Sequence, residues 1–247
     1  MDLLVIVLCL LSERFLVHKS SHDRFHWFMA YGNRLLTRFP ASVSSWIKLA
    51  LIVLPFILLT GVVLHFVDHL LFGVVGLLLN IVIFYYCLGP VNPFYPVHSK
   101  SMDEMVDEDI GHYLVRANGE LFAAVFWYLV LGPIGILAYR LVFLSQGLTA
   151  VTPQAIAVLN LLEWLPARMT ALLYLMVGNF QVGYEHFSRL FFSPPTKNNY
   201  MLSLCGLAAL SVDSHKQKAM VQAEILVEHA TIAFLALLAI CTIFAWM

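Results

Sequence analysis

Charged side chains are the scarcest class of residue in this sequence. Asp, Glu, Lys and Arg make up 12% of its 247 residues, and the formal net charge is −1. A soluble domain carries about 25% of such residues. The near-neutral balance provides no electrostatic footprint for a polyanion, so we predict no nucleic-acid partner.

Cysteine pairs with the spacing of a disulfide or zinc framework are absent too. The four cysteines are Cys9, Cys87, Cys205 and Cys241. Three of them lie inside apolar blocks, where a thiol behaves as a small hydrophobe. The sequence also lacks a P-loop, a nucleophile elbow, an HExxH pair and a GxGxxG turn. We therefore predict no metal site, and no familiar catalytic motif indicates an enzyme.

Long apolar blocks are what the sequence has instead. Apolar residues make up 61% of the chain, and the mean hydropathy is +0.83. The blocks are continuous rather than alternating, which favours membrane-spanning helices over a β-barrel. We predict an all-α polytopic membrane protein of about six spans, with amphipathic interfacial helices such as 18–38 between them. We predict a single domain, residues 1–247, that no linker interrupts. Its predicted spans are 2–17, 46–67, 69–89, 120–143, 155–179 and 229–246.

The ends and connectors of these blocks predict a topology. The N-terminal block reads MDLLVIVLCLLSERF, without a basic leader or a small-residue cleavage site, so we predict an uncleaved first helix. Lys and Arg concentrate between the first two spans, in 90–119 and in 180–228, and are absent from 144–154. If all six spans cross, these three basic segments are cytoplasmic and both termini lie outside, as in a multi-pass protein of a bacterial inner membrane. The block 155–179 could instead be re-entrant, which would move everything after it to the other side.

Ionisable residues inside an apolar block are costly in a bilayer and therefore informative. The least apolar block contains LLEWLPARMTALLYLMVG, with Glu163, Trp164 and Arg168. Pro166 has no N–H, so the carbonyl of Leu162 loses its helical partner and the helix should kink there. On a regular helix the Glu163 and Arg168 side chains would point about 140° apart. They form either a structural pair within the bundle or part of a ligand site, and the sequence leaves both open.

A second polar cluster lies at the predicted inner mouth of the fourth span. It contains Arg116, Asn118 and Glu120, and it follows an acidic run that includes Asp103 and Asp107. Carboxylates of this kind can hold Mg²⁺ beside a phosphate. Alternatively, Asn118 caps the helix, Glu120 complements the helix dipole, and the acidic run is a solvated face.

One further cation lies in the same span. Arg140 is placed near its predicted outer end. We expect the aliphatic stem of Arg140 to lie along apolar surface while its guanidinium snorkels towards the headgroups.

Two stretches of the chain resemble a known family. Residues 117–142 read ANGELFAAVFWYLVLGPIGILAYRLV, and residues 161–178 read LLEWLPARMTALLYLMVG. Both are similar to segments of the AmpE family, inner-membrane proteins associated with regulation of the chromosomal β-lactamase. AmpE is similar in turn to the CbiB/CobD membrane enzymes, which attach aminopropanol phosphate to a corrinoid in cobalamin synthesis. The E-N-T-x-D-G signature of those enzymes, followed by A-P-L-F-W, is not intact here, which favours the AmpE branch.

The resemblance implies a regulatory protein of β-lactamase induction and peptidoglycan recycling, and hence of antibiotic resistance. It would act alongside the AmpD amidase pathway or other membrane proteins, without established catalysis or cofactor. The alternative is a CbiB/CobD-like enzyme that forms an amide bond with a phosphate-bearing substrate and uses Mg-nucleotide, with Arg168 holding an anion. A transporter with the Pro-broken block as its site is a third hypothesis. The candidate site residues are Asn118, Glu120, Glu163, Trp164 and Arg168.

Overall fold

The part of the chain that the computed structural model describes is helical, as the sequence predicts. The structure describes residues 5, 6, 9, 25–40, 43–67, 74–88, 107–210 and 216–246. Within those ranges no strand occurs. Most of the predicted first span, and Asp103 with the start of the acidic run, lie outside the described residues.

The helix bounds follow the apolar blocks, except that the last helix begins at Lys216, 13 residues before its predicted span, and the block 155–179 is divided at Glu163. In chain order the helices are α1 (His26–Arg38), α2 (Ser45–Val67), α3 (Val74–Cys87), α4 (Asp107–Ala117), α5 (Ala123–Ser145), α6 (Thr152–Leu162), α7 (Trp164–Val177), α8 (Phe180–Leu190), α9 (Asn198–Leu210) and α10 (Lys216–Trp246). A π-helical turn, Asn118–Phe122, joins α4 directly to α5. A 3₁₀ turn, Pro195–Lys197, precedes α9.

Several helices have the length and apolarity of membrane spans. Among the described residues three stretches meet both conditions: Ser45–Val67, Glu108–Ser145 and Met220–Phe244. The pair α6 and α7 meets them only when its two halves are counted together, which brings the number to four. The helix Val75–Cys87 is apolar but shorter. An all-helical chain with several membrane-length helices is thus confirmed, and the six crossings stay a prediction.

The described helices fall into two compact units that alternate along the chain. The first comprises Met1–Pro90 and Ala124–Leu162, with α1, α2, α3, nearly all of α5, and α6. The second comprises Val91–Ala123 and Glu163–Met247, with α4, the π-turn and α7 to α10. The chain therefore leaves the second unit after the π-turn and returns to it at the start of α7.

Aromatic rings hold the first unit together. Trp27, Phe28 and Tyr31 of α1 surround Phe56 of α2 at centroid distances of 5.2, 6.0 and 5.1 Å. The Trp27 indole also donates a 2.6 Å hydrogen bond to the Tyr86 hydroxyl of α3. Large buried rings contribute strongly to packing. Helix α1, which the sequence predicts to be interfacial, is thereby tied to two apolar helices.

Helix α5 is interrupted at Gly132. The φ of 67° and ψ of −153° at this residue lie outside the helical region. Only glycine adopts such a conformation without strain, and Pro133 beside it has no N–H to donate. The break is therefore specified by the Gly-Pro pair of the sequence.

Arg140 of α5 does not reach towards the headgroups. Its side chain is fully buried, and its Nε donates to the Cys87 carbonyl oxygen at 2.7 Å. Its Cζ lies 5.1 Å from the centroid of the Phe143 ring. The expectation that Arg140 snorkels is therefore wrong, because a carbonyl acceptor and an aromatic face inside the first unit hold the cation instead.

Helix α7 is the centre of the second unit, where it packs against the π-turn, α8, α9 and α10. Its buried residues are Pro166, Ala167, Arg168, Thr170, Ala171, Leu173, Tyr174 and Leu175. Leu175 lies against Gly183 of α8, while Trp164 and Arg168 contact residues 191–193, just after the other end of α8. Helices α7 and α8 are therefore antiparallel. A Cβ at Gly183 would clash with Leu175 Cδ2, so a larger residue there would require the Leu175 side chain to move.

Candidate functional site around helix α7

The chain breaks between α6 and α7 at Glu163, as the proline predicts. Helix α7 begins at Trp164, so Pro166 lies in the first turn, where a missing N–H leaves no helical hydrogen bond unmade. The Leu162 carbonyl, which loses its helical partner, accepts a 3.2 Å hydrogen bond from the Trp127 indole Nε1. The two AmpE-like stretches are thus joined by the bond that satisfies this carbonyl.

Arg168 uses every guanidinium donor on the protein itself. Its Nε donates to the Phe191 carbonyl oxygen at 2.8 Å. Its Nη1 donates to the Trp164 carbonyl oxygen at 2.7 Å and to Asn198 Oδ1 at 2.8 Å. Its Nη2 donates to the Ser193 carbonyl oxygen at 2.8 Å and to Ser193 Oγ at 3.3 Å. Because a guanidinium has five N–H donors, this arrangement leaves none for an anionic ligand.

The charge of Arg168 is stabilised by neutral groups. All five acceptors are carbonyl, amide or hydroxyl oxygens, and the side chain is 2% exposed. The Trp164 ring adds its electron-rich face, with its centroid 4.2 Å from Cζ. The Trp164 indole in turn donates to the Ser193 carbonyl oxygen at 3.2 Å. Trp164 and Arg168 together fasten the segment 191–198 to α7.

Asn118 and Glu120 lie inside a continuous helix rather than at a helix end. Ala117, just before the π-turn, has helical φ and ψ of −57° and −34°. The interpretation of Asn118 as a helix N-cap is therefore wrong, because α4 runs into the π-turn without a break. Every residue of the turn is buried, and Glu120 is 3% exposed. A π-turn inserts an extra residue into a helix and occurs frequently at functional sites.

Helix α7 holds the π-turn by hydrogen bonds. Asn118 Oδ1 accepts from Thr170 Oγ1 at 2.8 Å, and the Tyr174 hydroxyl donates to the Leu114 carbonyl oxygen at 3.0 Å. Asn118 Nδ2 is buried and has no acceptor among the described residues. Leaving such a donor unpaired costs roughly 1–3 kcal/mol. This atom is therefore a place where a water molecule or a ligand oxygen could bind.

The predicted site residues separate into two groups around α7. Arg168 and Thr170 are two residues apart, a spacing that turns their side chains roughly 160° away from each other. Arg168 and Trp164 face the segment 191–198, whereas Thr170 faces Asn118. The structure therefore does not gather Arg168 and Asn118 around one cleft.

The other predicted residues have different positions. Glu163 is 6% exposed and precedes the first residue of α7. Arg116 is exposed in the last turn of α4, and Asp107 is the first residue of that helix. Arg140 belongs to the first unit, and Asp103 lies outside the described residues. Within the described part of the chain, no group of three or more His, Cys, Asp or Glu could hold a metal ion.

The chain matches no protein-family model, no curated protein and no solved structure. The likeness to AmpE therefore depends on the two stretches at 117–142 and 161–178.

Sequence reasoning missed the partners of the motif residues. These are Trp127, Thr170, Tyr174, Ser193 and Asn198. A local signal existed for two of them, since Thr170 and Tyr174 are four residues apart in an apolar block and so share one helical face. Nothing local identifies Ser193 and Asn198, which meet Arg168 across 25 and 30 residues of chain.

Proposed function

We propose that the chain is a multi-pass protein of a bacterial inner membrane that acts in the regulation of β-lactamase induction and peptidoglycan recycling. Its partners in this proposal are components of the AmpD amidase pathway or other membrane proteins. The same proposal places the basic connectors 90–119 and 180–228 on the cytoplasmic side of that membrane.

The observation that carries this proposal is the saturation of Arg168. In the enzyme alternative Arg168 would hold an anionic substrate, but all five of its donors already bind oxygens of the protein. Because Arg168 uses all its donors without a substrate, its role is better explained as structural. The AmpE-like stretches then supply the regulatory context.

The proposal is tested by deleting the gene in a strain that has a chromosomal, β-lactam-inducible β-lactamase. We expect a changed level of induced β-lactamase, which the wild-type gene restores. Arg189→Met, in an exposed ion pair of α8, should restore it equally. Arg168→Met should fail to do so because it removes all five hydrogen bonds that the guanidinium donates, including the one to the Phe191 carbonyl oxygen. Unchanged induction in the deletion strain, together with lost corrinoid assembly, would contradict the proposal.

The enzyme alternative keeps one observation in its favour, which is the π-turn. Asn118 Nδ2 is buried there without a described acceptor, two residues from the buried Glu120. Stabilisation of the purified chain by Mg-nucleotide or a corrinoid phosphate in a thermal unfolding measurement would support the enzyme. If neither ligand raises the unfolding temperature of the folded protein, this candidate is rejected.

A further inference from the structure

Helix α7 has charged helices as neighbours, which bears on where it lies relative to a membrane. On α8, Glu185 and Arg189 form an ion pair whose side chains are 66% and 72% exposed. On α4, Glu108 and His112 are similarly exposed, at 84% and 75%. Both helices belong to the same compact unit as α7.

The register between α7 and α8 fixes the level of the exposed ion pair. Leu175 lies beside Gly183, and Arg168 bonds to Phe191. Glu185 and Arg189 therefore lie alongside the middle of α7. If α7 crossed the hydrocarbon, both charges would face lipid near its centre, at a cost of about 2.5–3.5 kcal/mol each. Eight of the 14 residues of α7 are buried within the bundle, which accounts for most of its apolar character.

Helix α10 shows where the apolar environment begins. Glu224 and Glu228 precede Phe234, whose ring lies 5.9 Å from that of Phe122 at the end of the π-turn. Beyond Phe234, α10 carries no charged residue as far as Trp246, and its large exposed side chains there are Leu237, Ile240, Ile243 and Phe244. The level of the Phe122–Phe234 contact therefore marks the membrane end of the bundle.

Residues 191–197, the 191–197 loop, lie at the same membrane end of the bundle as Phe122 and Phe234. Helix α7 runs antiparallel to α4, with Tyr174 bonded to Leu114 and Thr170 to Asn118. Trp164, the first residue of α7, therefore lies level with the end of the π-turn or beyond it. Trp164 donates to Ser193 of the loop. The loop consequently sits where the bundle meets the membrane.

The exposed side chains of the 191–197 loop suit a lipid surface. Phe192 is 86% exposed, the highest value among the exposed large hydrophobic side chains of the described residues, and Lys197 is exposed five residues later. An aromatic ring with a nearby cation and an indole is the combination that anchors proteins in the headgroup layer. A cation at this level is attracted by anionic lipids.

We propose that α7 is the core of a helical bundle on the water side of the bilayer, and that the 191–197 loop docks on anionic headgroups through Phe192 and Lys197. Arg168 holds the loop in its docking conformation with three bonds to Phe191 and Ser193. The segments 107–117 and 180–210 then lie on one face of the membrane, as their placement in one unit requires.

The proposal is tested with nitroxide labels on the full chain in phosphatidylcholine vesicles that contain or lack phosphatidylglycerol. One label replaces Phe192, and the control label replaces Ser188, which is exposed on α8. The exposed Cys241 is changed to Ala, and the other cysteines are buried. We expect the label at 188 to collide freely with a water-soluble nickel complex. The label at 192 should be protected from it, and more strongly when phosphatidylglycerol is present.

Two results would overturn the proposal. A label at 188 that collides with oxygen rather than nickel would place α8, and so α7, inside the hydrocarbon. Docking on headgroups would be contradicted if the label at 192 collided with nickel as often as the label at 188. It would also be contradicted if phosphatidylglycerol did not change the protection of the label at 192 from nickel, either in the wild type or in Lys197→Gln. In Arg168→Lys the label at 192 should gain mobility while the label at 188 keeps its line shape. Unchanged mobility at 192 would contradict the role of Arg168.

Discussion

At the scale of single residues, the buried polar side chains of this protein satisfy backbone carbonyls that helix breaks and loops leave open. Trp127 bonds the Leu162 carbonyl, Arg140 bonds that of Cys87, and Tyr174 bonds that of Leu114. In an apolar interior such a carbonyl costs roughly 1–3 kcal/mol when it has no donor. The specific residues of the AmpE-like stretches are therefore explained largely by their hydrogen bonds to backbone carbonyls that lack a helical donor.

Replacing Trp127 with Phe tests whether its hydrogen bond to the Leu162 carbonyl stabilises the fold. The substitution keeps an aromatic ring but removes the donor to Leu162, so we expect the free energy of unfolding to fall by about 1 kcal/mol. The measurement is unfolding by a denaturing detergent in mixed micelles. The matched control is Trp46→Phe, since Trp46 is 55% exposed on α2. Equal stability of the two variants would mean that the Trp127 bond contributes nothing.

Part of this bond was predictable from the sequence and part was not. Pro166 alone predicts that the Leu162 carbonyl lacks its helical donor. The identity of the donor could not be predicted, because Trp127 is 35 residues away and its direction depends on the packing of α5 against α6.

At the scale of helices, the stretch from Asp107 to Ser145 is one helix with two irregular points. The π-turn at Asn118–Phe122 widens it, and Gly132 interrupts it. The Gly-Pro break could be anticipated from residue types, since proline in a helix interior removes a hydrogen bond. The π-turn could not, because it is stabilised by the contact of Asn118 with Thr170 on a distant helix.

Replacing Gly132 with Ala should destabilise the protein by backbone strain. No heavy atom lies within 4 Å of the new Cβ, so the positive φ is the source of the effect, worth about 1–3 kcal/mol. The control is Gly61→Ala in α2, where the nearest atom is 3.8 Å away and the change should be neutral or slightly stabilising. The same detergent titration measures both variants. A loss confined to Gly61→Ala would be the opposite of this expectation.

The sequence also predicted an apolar helix at 164–177 without revealing what surrounds it. A helix that is apolar on all sides is either a membrane span or the core of a bundle, and composition alone does not separate the two. The structure adds that α7 packs against α8, α9 and α10 within the second unit.

At the scale of the whole molecule, the second unit is a helical bundle whose packing controls thiol chemistry. Cys205 of α9 is buried, and burial raises the pKa of its thiol from 9.0 to about 12. Below the unfolded value, folded and unfolded chains both hold the proton, so this thiol has no effect on the pH dependence of stability. Between the two values only the unfolded chain releases it, and stability falls as the pH rises.

We therefore expect Cys205 to resist iodoacetamide in the folded protein at mildly alkaline pH, because the thiolate is the reactive form. The same residue should be alkylated readily once the chain is unfolded. Mass spectrometry of the peptide that contains Cys205 measures both rates. Similar rates in the folded and unfolded protein would show that the thiol is neither buried nor shifted.

The central claim is that Arg168 binds the 191–198 segment of the protein rather than a ligand. The most direct measurement is amide hydrogen exchange of the full chain in Arg168→Lys, with Arg189→Lys as the exposed control. A lysine cannot reproduce the planar fork of five donors, so exchange across 191–198 should accelerate in Arg168→Lys while 107–117 stays unchanged. Wild-type exchange across 191–198 in Arg168→Lys would contradict the claim.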